Sequence, residues 1–364
     1  MLYPFLAKLR ENLDLTQDEA SAAMEIIMRG EADEAQLEEY LVLLADKGET
    51  SEEIAGSAIT MHQHSNRIYP KVKKLVDVVG TGGDGSNTFN ISTTVAFVVA
   101  GCGVAVAKHG NKAVSSKCGA ANVLEELGVN IMLPPEKVEK AIEEVGIGFL
   151  FAPNFHPAMK FAMPVRQKLG RKTIFNLLGP LTNPANTKHQ LVGVADANLL
   201  RTFAEVLQQM NHIHSIVVNG EGLDEFTTTG ASTVFELKDG KILEYKVDLA
   251  KLGIKPAASE ELRGGDAKEN AAITRSILRG EDVGSKLDIV VLNAAAALLA
   301  ADAVVSLEEG MVKARESIES GKALAKLEAL IKFSEEAGNP AKLLFSTGLW
   351  NNELAKKGDK ISPN

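Results

Sequence analysis

The first seventy residues carry apolar positions at the spacing of amphipathic helices, without strand-like alternation. The clearest members of this repeat are Ala23, Ile26, Ile27, Leu37, Tyr40, Leu41 and Leu44. Two helix starts are indicated where a hydroxyl side chain precedes acidic residues, at Thr16 and at Thr50, because such groups satisfy the free N–H groups of a first helical turn. We therefore expect a small N-terminal helical domain over residues 1–72.

The pattern changes after Lys74 to short β-branched runs separated by segments long enough to form helices. The runs are LVDVV, GVAVA, VNIML, IGFLF, LVGV and SIVVN. Residues 121–127 and 135–145 are predicted helices between them. This alternation is typical of βαβ units. We expect an α/β fold in which a larger domain, residues 73–337, holds a mostly parallel central sheet.

The C-terminal third does not show this alternation of strands and helices. Residues 234–245 predict a hairpin with Asp239 and Gly240 at its turn. Ala-rich helices are expected between residues 287 and 337, and residues 338–364 form an extension to which the pattern assigns no role.

The bulk composition narrows the class of protein. The chain has 364 residues and a net charge of −9, so we expect neither nucleic acid nor a membrane as a partner. Its longest apolar stretches fall short of the ~20 residues that span a bilayer. No secretory signal is visible, and two cysteines suit a reducing compartment. A cytoplasmic protein is the expectation.

The most distinctive segment is DVVGTGGDGSNTFNISTT, in which an apolar strand enters a glycine loop and a helix is predicted to begin near Ser92. Glycines allow backbone N–H groups to surround a phosphate, and the helix N-terminus adds partial positive charge. The spacing of Gly80, Gly82 and Gly85 also matches a dinucleotide-binding loop, but the next strand ends in Lys108 where that site needs an acid. A pyrophosphate cradle is favoured over a dinucleotide site and over a purely structural turn.

The next predicted strand ends in a cluster of cations and hydroxyls. The cluster comprises Lys108, Asn111, Lys112, Ser115, Ser116 and Lys117. Any one of these lysines alone is better explained as a solvated surface residue. Together they favour an anion site, because open α/β sheets bind ligands at the carboxyl ends of their strands.

Two further places in the sequence are candidates for binding a substrate carboxylate or a metal ion. Arg166 suits a bidentate pair with a carboxylate, with a helix-surface arginine as the alternative. Asp224 and Glu225 follow a predicted strand through a loop, where adjacent carboxylates can bind Mg²⁺ rather than remain solvated. The pairs His62/His64 and His212/His214 lack a third ligand in a zinc-like pattern.

The motifs GTGGD, NIST, KHGN-K-AVSS, FHPAMK, TIFNLLGPLTNP and GLDEF occur in one order along the chain. In this order they resemble the anthranilate phosphoribosyltransferase family over residues 1–335. The resemblance implies a Mg²⁺-dependent enzyme of tryptophan biosynthesis that transfers a phosphoribosyl group from phosphoribosyl pyrophosphate to the amine of anthranilate. It also implies a helical domain completed by about residues 165–190, and a homodimer formed through that domain.

The resemblance assigns a role to each matching residue. The implied donor-binding residues are Gly80, Thr81, Gly82, Gly83, Asp84, Asn90, Ser92, Thr93, Lys108, Ser115 and Ser116. The implied anthranilate residues are Gly80, Asn111, His156, Arg166, Gly179 and Pro180. Ser92, Asp224 and Glu225 are the implied Mg²⁺ ligands, and Lys108 joins the two acids as the catalytic group.

Three positions depart from the family pattern. Lys112 stands where arginine is usual, Cys118 where a small residue is common, and Asn122 where aspartate is frequent. Two alternatives share the implied fold: a pyrimidine nucleoside phosphorylase, which FHPAMK and TIFNLLGPLTNP fit poorly, and a non-catalytic paralogue that binds nucleic acid, which the negative charge disfavours.

Overall fold

A seven-stranded β-sheet organises the fold in a computed structural model that describes residues 1–113 and 118–337. Its strands are β1 (Leu75–Gly80), β2 (Ala105–Gly110), β3 (Ile147–Phe151), β4 (His189–Gly193), β5 (His214–Asn219), β6 (Ser232–Lys238) and β7 (Lys241–Val247). They lie in the order β3-β2-β1-β4-β5-β6-β7. Strands β1 to β5 pair in parallel, and β6 and β7 are antiparallel. The expected α/β fold with a mostly parallel sheet is confirmed.

The antiparallel edge is the predicted hairpin. Asp239 and Gly240 both have positive φ, 49° and 71°. Two consecutive residues of this kind form the turn whose twist matches that of the flanking strands. The turn prediction is therefore confirmed.

One strand prediction is wrong. Residues 129–133, the VNIML run, form a turn and irregular chain. Val129, Ile131 and Leu133 are buried as an alternating pattern requires, but the N–H of Asn130 donates to Ser334 Oγ at 3.0 Å instead of to a strand. The position beside β2 is occupied by β3. Side-chain burial at alternate residues therefore occurs here without a sheet partner.

Four helices form the N-terminal part of the chain: α1 (Tyr3–Arg10), α2 (Gln17–Met28), α3 (Glu34–Lys47) and α4 (Ser51–Gln63). The predicted starts of α2 and α4 are confirmed. Thr16 and Thr50 each accept a hydrogen bond from the third helical N–H, and Glu19 and Glu53 accept one in return. Each pair satisfies two N–H groups that a helix start leaves without partners.

The remaining helices cover the two faces of the sheet. Those of the first half are α5 (Ile91–Gly101), α6 (Ala120–Glu126), α7 (Pro135–Glu144), α8 (Ala152–Phe155), α9 (Met163–Leu169), α10 (Ile174–Leu178) and α11 (Leu200–Gln209). Those of the second half are α12 (Ala267–Leu278), α13 (Ser285–Ala300), α14 (Leu307–Glu319) and α15 (Lys322–Ala337). The predicted helices within residues 121–145 and 287–337 are thus confirmed, with small shifts at their ends.

Successive strand residues divide the interior into two large apolar clusters. Val78 joins α5 and α12–α15 in one cluster. The next residue, Val79, joins α1–α4 and α9–α11 in the other, where Val192 and Val217 contribute from β4 and β5. This follows from the alternation of side chains across a strand. The N-terminal helices therefore share a continuous core with one face of the sheet.

The helices α9 and α10 belong to the same cluster as α1–α4 through Val165, Ile174 and Phe175. The exact partition into residues 1–72 with 165–190, and 73–337, stays a prediction. The extension 338–364 lies outside the described residues. Among the described residues, no helix combines the length and the apolar character needed to cross a bilayer.

Candidate active site

Two glycines at paired strand ends make room for an acidic loop. Gly80 at the end of β1 and Gly193 at the end of β4 are opposite each other in the parallel ladder. A Cβ on Gly80 would collide with Oδ2 of Asp224 and lie 2.9 Å from its Cγ. A Cβ on Gly193 would overlap the main chain of Asp224. The absence of side chains at these two positions therefore lets the Asp224–Glu225 segment lie over the carboxyl ends of the strands.

The glycine loop after β1 is tied to that segment. The N–H of Gly82 donates to Asp224 Oδ2 at 2.7 Å. Gly82, Gly83 and Gly85 have φ values of 69°, 74° and 72°, a region that residues with a Cβ enter only at a cost. Asp84 shapes the next turn by accepting the Ser86 N–H at 3.0 Å. The loop is exposed, so its backbone can approach a ligand closely.

A buried lysine connects the loop strand to the helix that follows. Lys108 is 3% exposed, and its Nζ donates to the carbonyl of Val78 at 2.7 Å and to Ser92 Oγ at 3.1 Å. The N–H of Ser92, in the first turn of α5, donates to Glu225 Oε1 at 3.1 Å. Burial lowers the pKa of Lys108, and the charges of Asp77, Glu225 and Asp224 oppose that shift. Lys108, Ser92, Glu225, Asp224 and the glycine loop thus form one connected group.

The acidic residues of this group repel one another. Burial raises the pKa of Asp224 to about 7, and the nearby charge of Asp84 adds to the shift. Burial and the charge of Asp224 hold the pKa of Glu225 well above its usual range. A cation placed among them would relieve both the repulsion and the cost of burying charge. Carboxylate and hydroxyl oxygens are the donors that Mg²⁺ prefers, so Asp224, Glu225 and Ser92 fit that ion.

Asp224, Glu225 and Ser92 would offer a Mg²⁺ ion two carboxylates and one hydroxyl. In residues 1–113 and 118–337, no cluster of three or more His, Cys, Asp or Glu side chains has the geometry to hold a metal ion. A Mg²⁺ site of this kind would be completed by oxygens of a ligand or of water, as is common for this ion.

A second group of predicted residues meets at the end of β2. His109 Nδ1 and the carbonyl of Gly179 are 3.1 Å apart, and since a carbonyl oxygen only accepts, Nδ1 carries the hydrogen. The ring of His109 lies 5.1 Å from that of His156, centroid to centroid. Both rings are about 5% exposed, and burial lowers the pKa of His109 to about 4 and that of His156 well below its usual value. Both imidazoles are therefore neutral near pH 7.

An interior network supports this second group. Gln190 Nε2 donates to the carbonyl of Pro180 at 2.6 Å and to Asp77 Oδ2 at 3.4 Å. Asp77 Oδ1 accepts the N–H of His109 at 3.3 Å. Burial raises the pKa of Asp77 to about 6. Asp77 and Gln190 therefore position both His109 and the Gly179–Pro180 turn.

Sequence reasoning missed His109, Asp77 and Gln190. His109 directly follows Lys108, so its place at a strand end was a usable signal. The roles of Asp77 and Gln190 come from the pairing of β1 with β4, in which they are direct partners. No local pattern reveals that pairing.

The remaining predicted acceptor residues are Arg166 and Asn111. Arg166 in α9 is half-buried, with its guanidinium 5.2 Å from the ring centroid of Phe175. Burial lowers its pKa, and in the described part of the chain no carboxylate pairs with it. Asn111 is exposed and its Oδ1 accepts the N–H of Lys112 at 2.8 Å. Neither Arg166 nor Asn111 is hydrogen-bonded to the two groups within the described residues.

The departures from the family pattern have identifiable contacts. Asn122 Oδ1 accepts the N–H of Ala113 at 3.0 Å and of Gly119 at 3.1 Å, and so joins the two ends of the segment 114–117. Lys112 forms an ion pair with Glu125 at 2.9 Å. The carbonyl of Cys118 accepts a hydrogen bond from Asn90 Nδ2 at 3.3 Å. An amide oxygen at residue 122 accepts as a carboxylate would, so this departure preserves the hydrogen bonds to Ala113 and Gly119.

Four further residues belong to the predicted donor site. Thr81 Oγ1 accepts the N–H of Ala195 at 3.1 Å, which fixes the start of the glycine loop against the residues after β4. Thr93 is buried, and its Oγ1 has no hydrogen-bond partner among the described residues. Ser115 and Ser116 lie outside the described residues.

Comparison with known families covers most of the chain. Residues 72–324 match the glycosyl transferase family, a/b domain. Residues 3–65 match the glycosyl transferase family, helical bundle domain. The boundary between the two matches lies close to Lys74, where the hydrophobic pattern of the sequence changes.

Individual proteins are similar to this chain over most of its length. The anthranilate phosphoribosyltransferase of Desulfatibacillum aliphaticivorans is 51% identical over 339 residues, which is 93% of this chain and 100% of the relative. The crystal structure of anthranilate phosphoribosyltransferase (TrpD) from Thermus thermophilus matches with a TM-score of 0.86 and 43% identity over 91% of this chain and 99% of that one. The enzyme from Saccharomyces cerevisiae in complex with PRPP and Mg matches with a TM-score of 0.84 and 29% identity over 92% and 98%.

Proposed function

The chain belongs to the anthranilate phosphoribosyltransferase family, and on that premise we propose how its residues carry out the reaction. The enzyme transfers the phosphoribosyl group of phosphoribosyl pyrophosphate to the amine of anthranilate in tryptophan biosynthesis, with release of pyrophosphate. The observation that carries the assignment of residues is the connected group formed by Lys108, Ser92, Glu225, Asp224 and the Gly82 N–H.

The donor is proposed to lie on the glycine loop and the first turn of α5. Gly80 to Asp84 are proposed to surround the pyrophosphate and ribose, because Gly82 and Gly83 are exposed and have no side chain to keep a ligand away from the backbone. Asn90, Ser92, Thr93 and Lys108 complete the site, with Ser115 and Ser116 proposed on the resemblance alone. Thr93 supports this assignment, since a buried hydroxyl that has no hydrogen-bond partner in residues 1–113 and 118–337 is suited to a ligand oxygen.

Mg²⁺ is proposed as the resident cation, held by Asp224, Glu225 and Ser92. When bound, it supplies Lewis-acid neutralisation of the charge that gathers on the leaving pyrophosphate. The raised pKa values of Asp224 and Glu225 support this proposal, because both follow from carboxylates that are buried close together. The yeast relative was solved in complex with PRPP and Mg.

Lys108 is proposed to act on the donor from within the protein. Its ammonium is fixed by Val78 and Ser92 at the point where the loop strand and α5 meet. The bond between the anomeric carbon and the pyrophosphate oxygen breaks as negative charge accumulates on that oxygen. A fixed buried cation stabilises such charge more than a solvated one, because it needs no reorganisation during the step.

Anthranilate is proposed to lie between the second group and α9. Neutral His109 and His156, together with Pro180, offer a buried wall for an aromatic ring. The guanidinium of Arg166, which pairs with no carboxylate among the described residues, suits the carboxylate of anthranilate. Asn111 and Gly179 complete the acceptor site. An aromatic amine is neutral near pH 7 and already nucleophilic, so positioning suffices and no general base is assigned.

One assay tests the function. Purified protein is mixed with Mg²⁺, anthranilate and phosphoribosyl pyrophosphate, and the loss of anthranilate fluorescence is followed. We expect a loss that requires all three additions. Phosphorolysis of thymidine or binding of duplex DNA in place of that loss would instead favour the pyrimidine nucleoside phosphorylase or the nucleic-acid-binding paralogue.

Assembly and location are proposed on the resemblance. A homodimer is expected to form through the N-terminal helices, and light scattering of the purified protein should give twice the chain mass of 38.8 kDa. A value of one chain mass at micromolar concentration would contradict the dimer. The cytoplasm is the proposed compartment.

A further inference from the structure

A short cationic segment runs from the last turn of α9 to the start of α10. It contains Lys168, Arg171 and Lys172. Two of these cations are neutralised by α3, since Lys168 Nζ lies 2.6 Å from Glu38 Oε2 and Arg171 Nη2 lies 2.6 Å from Asp46 Oδ1. Across the described ranges 1–113 and 118–337, no hydrogen bond or ion pair is made by the third, Lys172. The segment therefore keeps one cation uncompensated.

The uncompensated cation lies beside the glycine loop. A Cβ built on Gly83 would be 3.7 Å from Lys172 Nζ and 3.9 Å from its Cε. The backbone on each side of Lys172 is held in place: Arg171 is paired with Asp46, and the N–H of Thr173 donates to Asn176 Oδ1 at 3.0 Å at the start of α10. The ammonium is thus near the loop because its backbone is fixed there.

The glycine loop has more acidic than basic side chains near it, so an anionic ligand there depends on the few cations within reach. The groups near the loop are Asp84, Asp224 and Glu225, and the buried Lys108 balances only part of their charge. A ligand with several phosphate charges needs further cations within hydrogen-bond reach, and a lysine ammonium is a compact partner for phosphate oxygens. Lys172 reaches the loop from the segment packed on the N-terminal helices, whereas Lys108 comes from the sheet.

We propose that Lys172 is a further donor-binding residue, whose ammonium contacts the pyrophosphate group of phosphoribosyl pyrophosphate above Gly83. This inference rests on the proposed function for the identity of the donor. It adds a donor-binding residue close to Arg166, so that the stretch of chain from α9 to the start of α10 binds both the acceptor carboxylate and the donor pyrophosphate.

The test compares three variants. Lys172→Met keeps most of the aliphatic stem and removes the charge, Lys172→Arg restores a cation, and Lys168→Met is the matched control because Lys168 is paired with Glu38 in the same segment. For each, the KM values for both substrates are measured at saturating Mg²⁺. The dissociation constant of inorganic pyrophosphate with Mg²⁺ is measured by calorimetry.

Lys172→Met is expected to raise the KM for phosphoribosyl pyrophosphate and the dissociation constant of pyrophosphate about tenfold, equivalent to about 1.4 kcal/mol. The KM of Lys172→Met for anthranilate should stay within about twofold of the wild-type value. Lys172→Arg should recover most of the loss in pyrophosphate binding. Lys168→Met should behave as the wild-type protein. Unchanged pyrophosphate binding in Lys172→Met, or an equal loss in Lys168→Met, would overturn the proposal. A wild-type protein that binds pyrophosphate but forms no product would count against the proposed function and leave the Lys172 comparison intact.

Discussion

Replacement of Gly80 by alanine should disable the proposed metal site while leaving the fold intact. The new Cβ would collide with Oδ2 of Asp224 and lie 2.9 Å from Cγ. Ordinary contact begins near 3.4 Å, so the carboxylate must retreat by at least about half an ångström. Gly80 does not have positive φ, so alanine causes no backbone strain of its own. The collision with Asp224 is the whole perturbation.

The expected loss of Mg²⁺ affinity follows from the hydrogen bond that breaks when the Asp224 carboxylate moves. The Gly82 N–H to Asp224 Oδ2 bond, now 2.7 Å, would lengthen beyond the usual limit of about 3.2 Å. A hydrogen bond to a charged group contributes about 1.5–3 kcal/mol. Metal ligands tolerate displacements of only about 0.2 Å. Loss of a ligand's support typically weakens metal affinity about 10- to 100-fold, and we expect the half-saturating Mg²⁺ concentration to rise by that factor.

The assay is a Mg²⁺ titration of turnover at saturating substrates. Gly284→Ala is the matched control, because the nearest atom to a Cβ there is 3.8 Å away and belongs to Asp282. Circular dichroism should show the same secondary structure in both variants. If Gly80→Ala kept the Mg²⁺ dependence and turnover of the unchanged protein, the close packing of Gly80 against Asp224 would be refuted.

Three other predictions concern Arg166, the Asp224–Glu225 pair and His109. Arg166→Ala should raise the KM for anthranilate about 10- to 100-fold with kcat little changed, as expected for loss of a charge-assisted pair; a fall in kcat alone would contradict the carboxylate role. Asp224→Asn combined with Glu225→Gln should abolish Mg²⁺-dependent turnover while far-ultraviolet circular dichroism is retained, and turnover that persists would remove the metal assignment. His109 has a pKa of about 4 in the fold against 6.5 when unfolded, so below pH 6.5 the unfolded chain binds a proton that the native state excludes. The free energy of unfolding should therefore fall as the pH drops from 6.5 to 4, by up to about 1.4 kcal/mol per pH unit from this group. His109→Asn, measured by urea unfolding at several pH values, should show a shallower fall, and an equal slope would contradict a neutral buried ring.

The parts of the fold that local patterns determine were predictable. Helix starts at Thr16 and Thr50 and the turn at Asp239 depend on interactions within four residues, so the sequence signal and the structure coincide. The VNIML run was mispredicted because alternation reports burial of one face, and a strand also requires a partner, which residues 129–133 lack within the described chain.

In the candidate site too, local features were predictable and features that depend on distant pairing were not. The glycine loop and the Asp224–Glu225 pair were visible as residue types at predicted strand ends. Asp77 and Gln190 were not, because each reads as an ordinary interior or strand polar residue until β1 and β4 are paired across 113 residues of sequence. Lys172 was hidden for a related reason: only the pairing of its neighbours with Glu38 and Asp46 distinguishes it from them.

The apolar cluster that joins α1–α4 to one face of the sheet bears on how the protein can be divided. A fragment ending near residue 72 would lack α9, α10 and α11, which pack against α3 and α4 in the whole chain. Truncated or separately expressed halves should consequently aggregate or remain unfolded. For anyone building chimaeras of this enzyme, exchange of the N-terminal helices alone would require the facing residues of β4, β5 and α11 to be exchanged with them.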